Sequence, residues 1–406
     1  MIRKIICMLI VALLALPVMA QYDEATDNGI VNFQASKGVT LQSRDGNFSF
    51  RPYALIQTSL NYNYYDDEGL DKAYNQDNIA NSGFAIPYAI LGFQGKAWDN
   101  VTFNLALNTS ASGGALLQQA WFDVKLSDAL AVRVGKFKTP FTHAYLTTLG
   151  ETALPRVPTS LTTSVILPHS LNAVNPSFGT GFDLGIEVHG MFGHRRTFGY
   201  EVGLFNGTGA GVNTAGKTLS DDWHIPSLLY AGRLTWQPRG AMPATQGNAA
   251  SLDLDKMLLG LSANLNVESE NESTNDFRAG IEWAWLKNRW YMAAELYYMQ
   301  VGFTERQKIS QTFHYLGGYA QVGYFATALD QFVLRYDLMD RNGLDANGSV
   351  NMPACGWNHF FPRCNLKFQL MYQYMGRWNH DTQLDRDMDD LGLATHSAMA
   401  MLQYTF

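Results

Sequence analysis

Five cationic or titratable side chains crowd one stretch of this chain. Lys136 and Lys138 end an alternating segment, and His143, Arg156 and His169 lie in the long connection after it. Glu151 is the only acidic residue in that connection. Such a set draws anions rather than breaking bonds, and it acts most strongly where low-dielectric walls focus its field. A second group of cations falls on the polar sides of alternating segments: Arg51, Lys96, Lys125, Arg133, Arg233, Arg335 and Lys367, with Arg278 beside them. Asp123, Asp183, Glu187, Glu201, Glu282, Glu295 and Asp337 fall on polar sides too, so the second group is nearly balanced. An Arg beside such an acid is either a pore charge or half of a structural ion pair, because unpaired charge away from water is costly. Lys136 and Lys138 fit a pore-facing role or a snorkelling one at a strand end.

Bond-making chemistry finds no support. There is no Gly-x-Ser-x-Gly elbow and no His-Glu-x-x-His. His189 and His194 lie near a turn without a third ligand at a metal spacing, which suits surface histidines. The expected catalytic, metal and cofactor sets are therefore all none. Cys355 and Cys364 stand nine positions apart, near opposite ends of a short strand, and remain open to being either bridged or free.

The elements that must position these charges are strands. Val101, Phe103, Leu105 and Leu107 alternate with Thr102, Asn104, Ala106 and Asn108. Ile56, Leu60, Tyr62 and Tyr64 oppose Arg51, Gln57, Ser59 and Asn61 in a segment over 48–64. The last strand, 395–406, ends in Tyr404-Thr405-Phe406, with an aromatic as the final residue. About sixteen such segments follow one another from residue 48, the second of them read as one strand over 84–98. Short turns such as Asp99-Asn100, Ser127-Asp128 and Lys287-Asn288 alternate with long connections such as 65–83, 139–180 and 376–394. The Pro/Gly/Ala-rich stretch 237–256 breaks that rhythm and reads as an inserted turn on the short side. Strands with two unlike faces and this turn rhythm predict an all-β transmembrane antiparallel barrel.

The chain's start and composition agree. Arg3 and Lys4 precede an apolar run from Ile5 to Leu16, and Val18-Met19-Ala20 fits a cleavage site. The expected organisation is a signal peptide over 1–20, a short periplasmic segment over 21–47 and the barrel over 48–406. Charged residues make up 16% of the 406 and aromatics 13%, against about 25% charged in soluble proteins. Without Arg3 and Lys4 the balance is 27 basic to 36 acidic, a net of −9, which argues against nucleic acid as a partner.

Several pieces together resemble the phosphate-selective porin O and P family of outer-membrane channels. They are Gly38-Val39-Thr40-Leu41 with Asp45-Gly46, the run Ala131 to Phe141 containing Gly135-Lys136-Phe137-Lys138-Thr139-Pro140-Phe141, Gly181 to Glu187, Phe205 to Gly209, Glu295-Leu296-Tyr297-Tyr298 and Asn365 to Tyr372. The resemblance runs over about 38–406. It implies a 16-stranded barrel, commonly a homotrimer, with the third long loop folded inward as a constriction. That loop is the one after Phe141, the same connection that carries the cations. This chain departs from the family there: Ala153-Leu154-Pro155-Arg156-Val157-Pro158 lacks the acid that the family often sets beside its arginine. It also lacks the dense run of lumen arginines and lysines that phosphate selectivity would need.

The expected function is passive diffusion of small hydrophilic solutes or ions, with a weak preference for anions. The expected place is the outer membrane of a Gram-negative bacterium, among lipid and lipopolysaccharide, passing small anionic or neutral solutes. Two alternatives stay open. One is a channel specific for an oligosaccharide or organic anion, marked by an aromatic track in the pore. The other is an enzymatic or structural barrel with a blocked lumen. A plug-gated importer is excluded by the few residues between Gln21 and Asn47.

Overall fold

The computed structural model describes residues 29–34, 38–65, 79–111, 113–162, 181–207, 228–267, 273–303, 312–340, 349–361, 364–378 and 395–406. An N-terminal hairpin, β1 (Gly29–Gln34) and β2 (Gly38–Ser43), leads into β3 (Phe48–Tyr65). Then come β4 (Ile79–Ala85), β5 (Ala89–Ala97), β6 (Val101–Asn108), β7 (Leu117–Ser127) and β8 (Leu130–Lys138). After a long connection follow β9 (Phe182–Phe192), β10 (Phe198–Phe205), β11 (Leu229–Trp236), β12 (Asp255–Asn266), β13 (Ser273–Lys287) and β14 (Trp290–Phe303). The chain finishes with β15 (Thr312–Phe325), β16 (Asp330–Asp340), β17 (Ser349–Phe361), β18 (Leu366–Tyr374), β19 (Gly376–Trp378) and β20 (His396–Thr405).

Every pairing is antiparallel, and β20 returns to β3 with Gln403 opposite Gln57 and Ala400 opposite Leu60. The sheet is thereby closed, which removes its edges and satisfies the backbone in lipid. β4 and β5 both pair with β3, and β18 and β19 both pair with β17, so each couple is one stave and the barrel has sixteen. The sequence reading of one strand over 84–98 meets a break at Ile86-Pro87-Tyr88. Pro87 has no N–H to give the ladder. The Tyr88 carbonyl accepts from Gln57 N instead, at 2.9 Å. Among the described residues no helix is long and apolar enough to cross a membrane.

The two faces separate as alternation requires. Ile56, Leu60, Leu234, Ile281, Leu334 and Leu402 point outward and are exposed, whereas Gln57, Ser59, Glu282, Arg335 and Gln403 point inward and are buried. Aromatics ring the short-turn end: Phe48 packs on Trp98, Phe192 on Phe198 and Trp290 on Tyr324, all well exposed. Such girdles mark the bilayer interface. The C-terminal Phe406 closes the seam. Its backbone exchanges two hydrogen bonds of 3.1 Å with Ala54, and its ring lies over Gly38, where a Cβ would crowd it at 3.2 Å. Cys355 and Cys364 are both free and exposed.

Candidate functional site

The barrel is not hollow. β8 reaches Lys138, and Pro140 ends the ladder. Gly135, two residues inside the wall from Phe137, takes φ +130°, and any Cβ there would strike the Ala120 carbonyl. Residues 139–162 then lie against the inner faces of β13 to β20. A one-turn helix, His143–Leu146, presents its first amides to two wall carboxylates: His143 N donates to Glu282 and Ala144 N to Glu295, the latter at 2.7 Å. Another short turn, Thr159–Leu161, gives the amides of Thr159 and Ser160 to Asp337. Carboxylates suit these positions because the first amides of a turn lack partners within it.

Wall cations do the converse and bind the segment's carbonyls. Arg335 Nη1 donates to the Arg156 carbonyl at 2.7 Å, and Lys367 Nζ to the Thr152 carbonyl at 2.6 Å. Lys138 Nζ donates back to the carbonyls of Tyr145 and Thr147 at 2.6 and 3.1 Å. Amides fill in: Asn358 donates to the Ala153 carbonyl at 2.7 Å and Gln403 to that of Gly150 at 3.0 Å. A hydrogen bond to a charged group contributes roughly 1.5–3 kcal/mol, so this segment is held at many points.

The inserted stretch between β11 and β12 also folds inside. Its place at the short-turn end matches the sequence reading; its path into the lumen does not follow from that reading. Met242 and Leu254 pack on an internal apolar cluster that includes Phe141, Tyr145, Leu161, Leu286, Tyr291 and Tyr297. Gln246 and Thr245 are buried, and the Ala244 carbonyl and Gln246 amide meet the backbone of Thr148 and Glu151 in the other segment. The β13–β16 side of the lumen is thus a packed core rather than water.

The sequence candidates fall into distinct settings. Arg156 and Lys138 are half-buried and line the same chamber. Arg156 Nη1 donates to Ser397 Oγ at 2.8 Å. Burial lowers its pKa from the usual arginine value, yet a guanidinium stays charged in proteins. Lys136 is fully buried. His143 is buried too, and desolvation, then the Arg233 guanidinium, hold it down at about 4, so it is neutral at ordinary pH. His169 lies outside the described residues. Arg335 and Lys367 are committed to the carbonyls above. Arg133 pairs with Asp123 at 2.8 Å and Glu187 at 3.4 Å while stacking on Trp121. Arg233 pairs with Glu282 at 2.7 Å and Glu201 at 3.1 Å. Arg51 lies within hydrogen-bond reach of the Gln94 side-chain oxygen. Lys96 and Lys125 sit at the short-turn rim beside Asp99 and Asp128. Asp128 is held below the usual carboxylate range by hydrogen bonds from Lys125 and Arg196. The strand charges are mostly structural pairs; the residues that hold the segment's backbone, Glu282, Glu295 and Asp337, were visible only as acids on polar faces.

Among the described residues two chambers stand out in the lumen. The one at the long-loop end has a volume near 610 Å³ and is lined by Lys138, Arg156, Gln57, Gln118, Asn63 and Ser397 among others, with no Asp or Glu in its described lining. The one at the short-turn end, near 480 Å³, mixes signs: Asp99, Asp123, Asp128 and Glu201 face Lys125, Arg196 and Arg233. Residues 143–149 separate the two, with His143 and Leu146 on one side and Ala144, Tyr145 and Leu149 on the other. Among the described residues no group of three or more His, Cys, Asp or Glu is placed to hold a metal ion.

A closed sixteen-stave barrel with an apolar outer belt and a charged, partly filled lumen is an outer-membrane porin, a passive channel. The sequence matches the family described as Phosphate-selective porin O and P over residues 56–406, and the chain belongs to that family. No curated protein matches it. Among solved structures it is similar to an anion-selective porin from Comamonas acidovorans, with TM-score 0.56 and 10% identity over 88% of this chain and 100% of that one. It is similar also to Salmonella typhi OmpF in complex with daunomycin, with TM-score 0.56 and 11% identity over 93% and 100%. The outer-membrane channel DcaP of Acinetobacter baumannii gives TM-score 0.53 and 10% identity over 90% and 99%. At these identities the likeness is one of fold.

Proposed function

We propose that this porin passes small hydrophilic solutes with a weak preference for anions, and that segment 139–162 is its constriction. The observation that carries the reading is the long-loop chamber, in whose described lining Lys138 and Arg156 meet no carboxylate. In a narrow lumen a few such charges outweigh many on the surface. The preference is weak because both cations are already engaged, Lys138 by two carbonyls and Arg156 by Ser397. A tight oxyanion site needs donors with nothing else to bind, so the reading does not extend to phosphate.

The mature chain begins at Gln21 and assembles as a homotrimer in the outer membrane, in contact with lipid and lipopolysaccharide. A trimer form is named for one structural neighbour, OmpT of Vibrio cholerae, and the family resemblance points the same way. N-terminal sequencing of protein from membranes tests the first statement, and native mass in detergent the second.

The reversal potential of single purified channels under a salt gradient tests the function. An anion-signed potential is expected. A cation-signed one sinks the assignment of the filter to Lys138 and Arg156, and bilayers without current steps sink the channel.

A further inference from the structure

We propose that the insertion 237–254 is a second constriction element, entering from the short-turn end and clasped to segment 139–162, and that the two together set the size limit of the channel. The inference rests on the channel reading above and adds to it a segment that the barrel does not need for closure: β11 and β12 pair directly along their whole register, from Leu229–Asn266 to Trp236–Leu259. A two-residue turn could join their ends, as elsewhere at this end of the barrel.

The clasp is specific. Thr148 N donates to the Ala244 carbonyl at 3.3 Å, and Gln246 N to the Glu151 carbonyl at 2.9 Å. Ala153 N donates to Gln246 Oε1 at 3.0 Å. The two segments thus run side by side like a short ladder. The Glu151 carboxylate fastens it, accepting from Thr245 Oγ1 and Asn248 Nδ2, both at 2.7 Å. Glu151, the lone acid of the long connection, is therefore turned toward the insertion rather than toward passing ions.

The insertion is also fixed to the wall. Gln321 Nε2 donates to Gln246 Oε1 and Gln331 Nε2 to the Gln246 carbonyl, both at 3.2 Å. Gly247, at φ +104°, lets the backbone approach so closely that a Cβ would meet Gln331 Nε2 at 2.8 Å. On its free side the insertion supplies Gln237, Ala241, Met242 and Ala244 to the wall of the short-turn chamber, facing Asp123, Lys125 and His189. A solute leaving the filter must pass between that face and the barrel. Because diffusion selects by the narrowest width, removing the insertion widens the exit.

The test compares three refolded full-length channels in planar bilayers and in liposomes loaded with sugars of increasing size. One is the parent, one has residues 239–253 replaced by Asn-Gly, and one carries Thr245→Val with Asn248→Ala, which removes both side-chain hydrogen bonds to the Glu151 carboxylate together with the insertion's own Thr245 Oγ1–Gly247 N and Asn248 Oδ1–Ala250 N bonds. Heat-modifiable gel migration reports barrel closure. The deletion is expected to raise conductance by about twofold, as width controls flux, and to admit sugars the parent excludes; the clasp variant should move the same way by less. If the deletion cannot close, the clasp variant decides alone. A closed variant with parental conductance and parental size limit overturns the proposal. A silent parent whose deletion conducts would overturn the passive-channel reading while keeping the insertion as the obstruction; silence in both overturns both.

Discussion

Removal of one charge from the long-loop chamber is the sharpest prediction. Arg156→Gln keeps a side-chain amide for Ser397 Oγ and leaves the backbone carbonyl that Arg335 binds, so the segment stays anchored while the charge goes. An ion passing about 4 Å from a unit charge in water feels about 1 kcal/mol. Since 1.4 kcal/mol is tenfold, that is roughly fivefold up in anion occupancy and roughly fivefold down in cation occupancy. Two cations line the chamber, so the variant retains Lys138 and should remain weakly anion-preferring rather than reverse. The assay is the reversal potential of single channels in a KCl gradient at low salt, near 0.1 M, where the Debye length is about 10 Å. At about 1 M salt it shrinks to about 3 Å, and parent and variant should converge. A parental reversal potential for Arg156→Gln at low salt, with parental conductance, would refute the assignment of the filter to this chamber.

Three further outcomes follow from the same contacts. Asp337→Ala leaves the amides of Thr159 and Ser160 without their acceptor, at about 1–3 kcal/mol each. The variant should unfold at lower urea and become cleavable between 157 and 162; parental stability would mean that the wall does not hold this turn. His143 is held at about 4, well under the 6.5 of an exposed histidine, by burial and then by Arg233. The unfolded chain therefore binds the proton first, so this stability is complete above about pH 6.5 and declines as pH falls to about 4, on the order of 3 kcal/mol in all. A His143→Gln barrel should show a flatter stability curve over that window, and equal slopes for the two would contradict the burial argument. Finally, Cys355 lies in an outward apolar groove with Trp290, Phe332 and Trp357, whereas Cys364 lies beside a short turn. In a bilayer a charged maleimide should label Cys364 and spare Cys355; the reverse pattern would mean the barrel's tilt or depth is misread.

Much of the barrel was legible because lipid imposes a simple rule. A strand that faces hydrocarbon must be apolar at every second residue, so Ile56, Leu60 and Ile281 announced their side without any partner being known. The break at Pro87 was missed although proline is visible, because the flanking alternation runs through it. The proposed filter was legible in part. Arg133 and Arg233 stood near acids on polar faces, and pairing was one of two readings given. What sequence pattern could not supply was the partner of a backbone amide. Glu282, Glu295 and Asp337 look like any lumen acid until the turns they cap are placed, 139 to 178 residues away in sequence. The insertion's inward path escaped for the same reason. Thr245, Gln246 and Asn248 carry no periodicity, and their role lies in contacts with Glu151, Ala153, Gln321 and Gln331.

The anchors of segment 139–162 span most of the chain: Arg156 meets Ser397 across 241 positions and Gln403 meets Gly150 across 253. Contacts that distant reward the chain only after the entropy of closing long loops has been met, which makes them late. The proposed filter, segment 139–162, is synthesised early and waits for β18 and β20 to arrive. A chain arrested before its last staves dock would have a wall but no filter seat, a wide and permissive hole. Narrowness is thus a product of completed assembly, and leakiness to large solutes becomes a reporter of how far the barrel has folded.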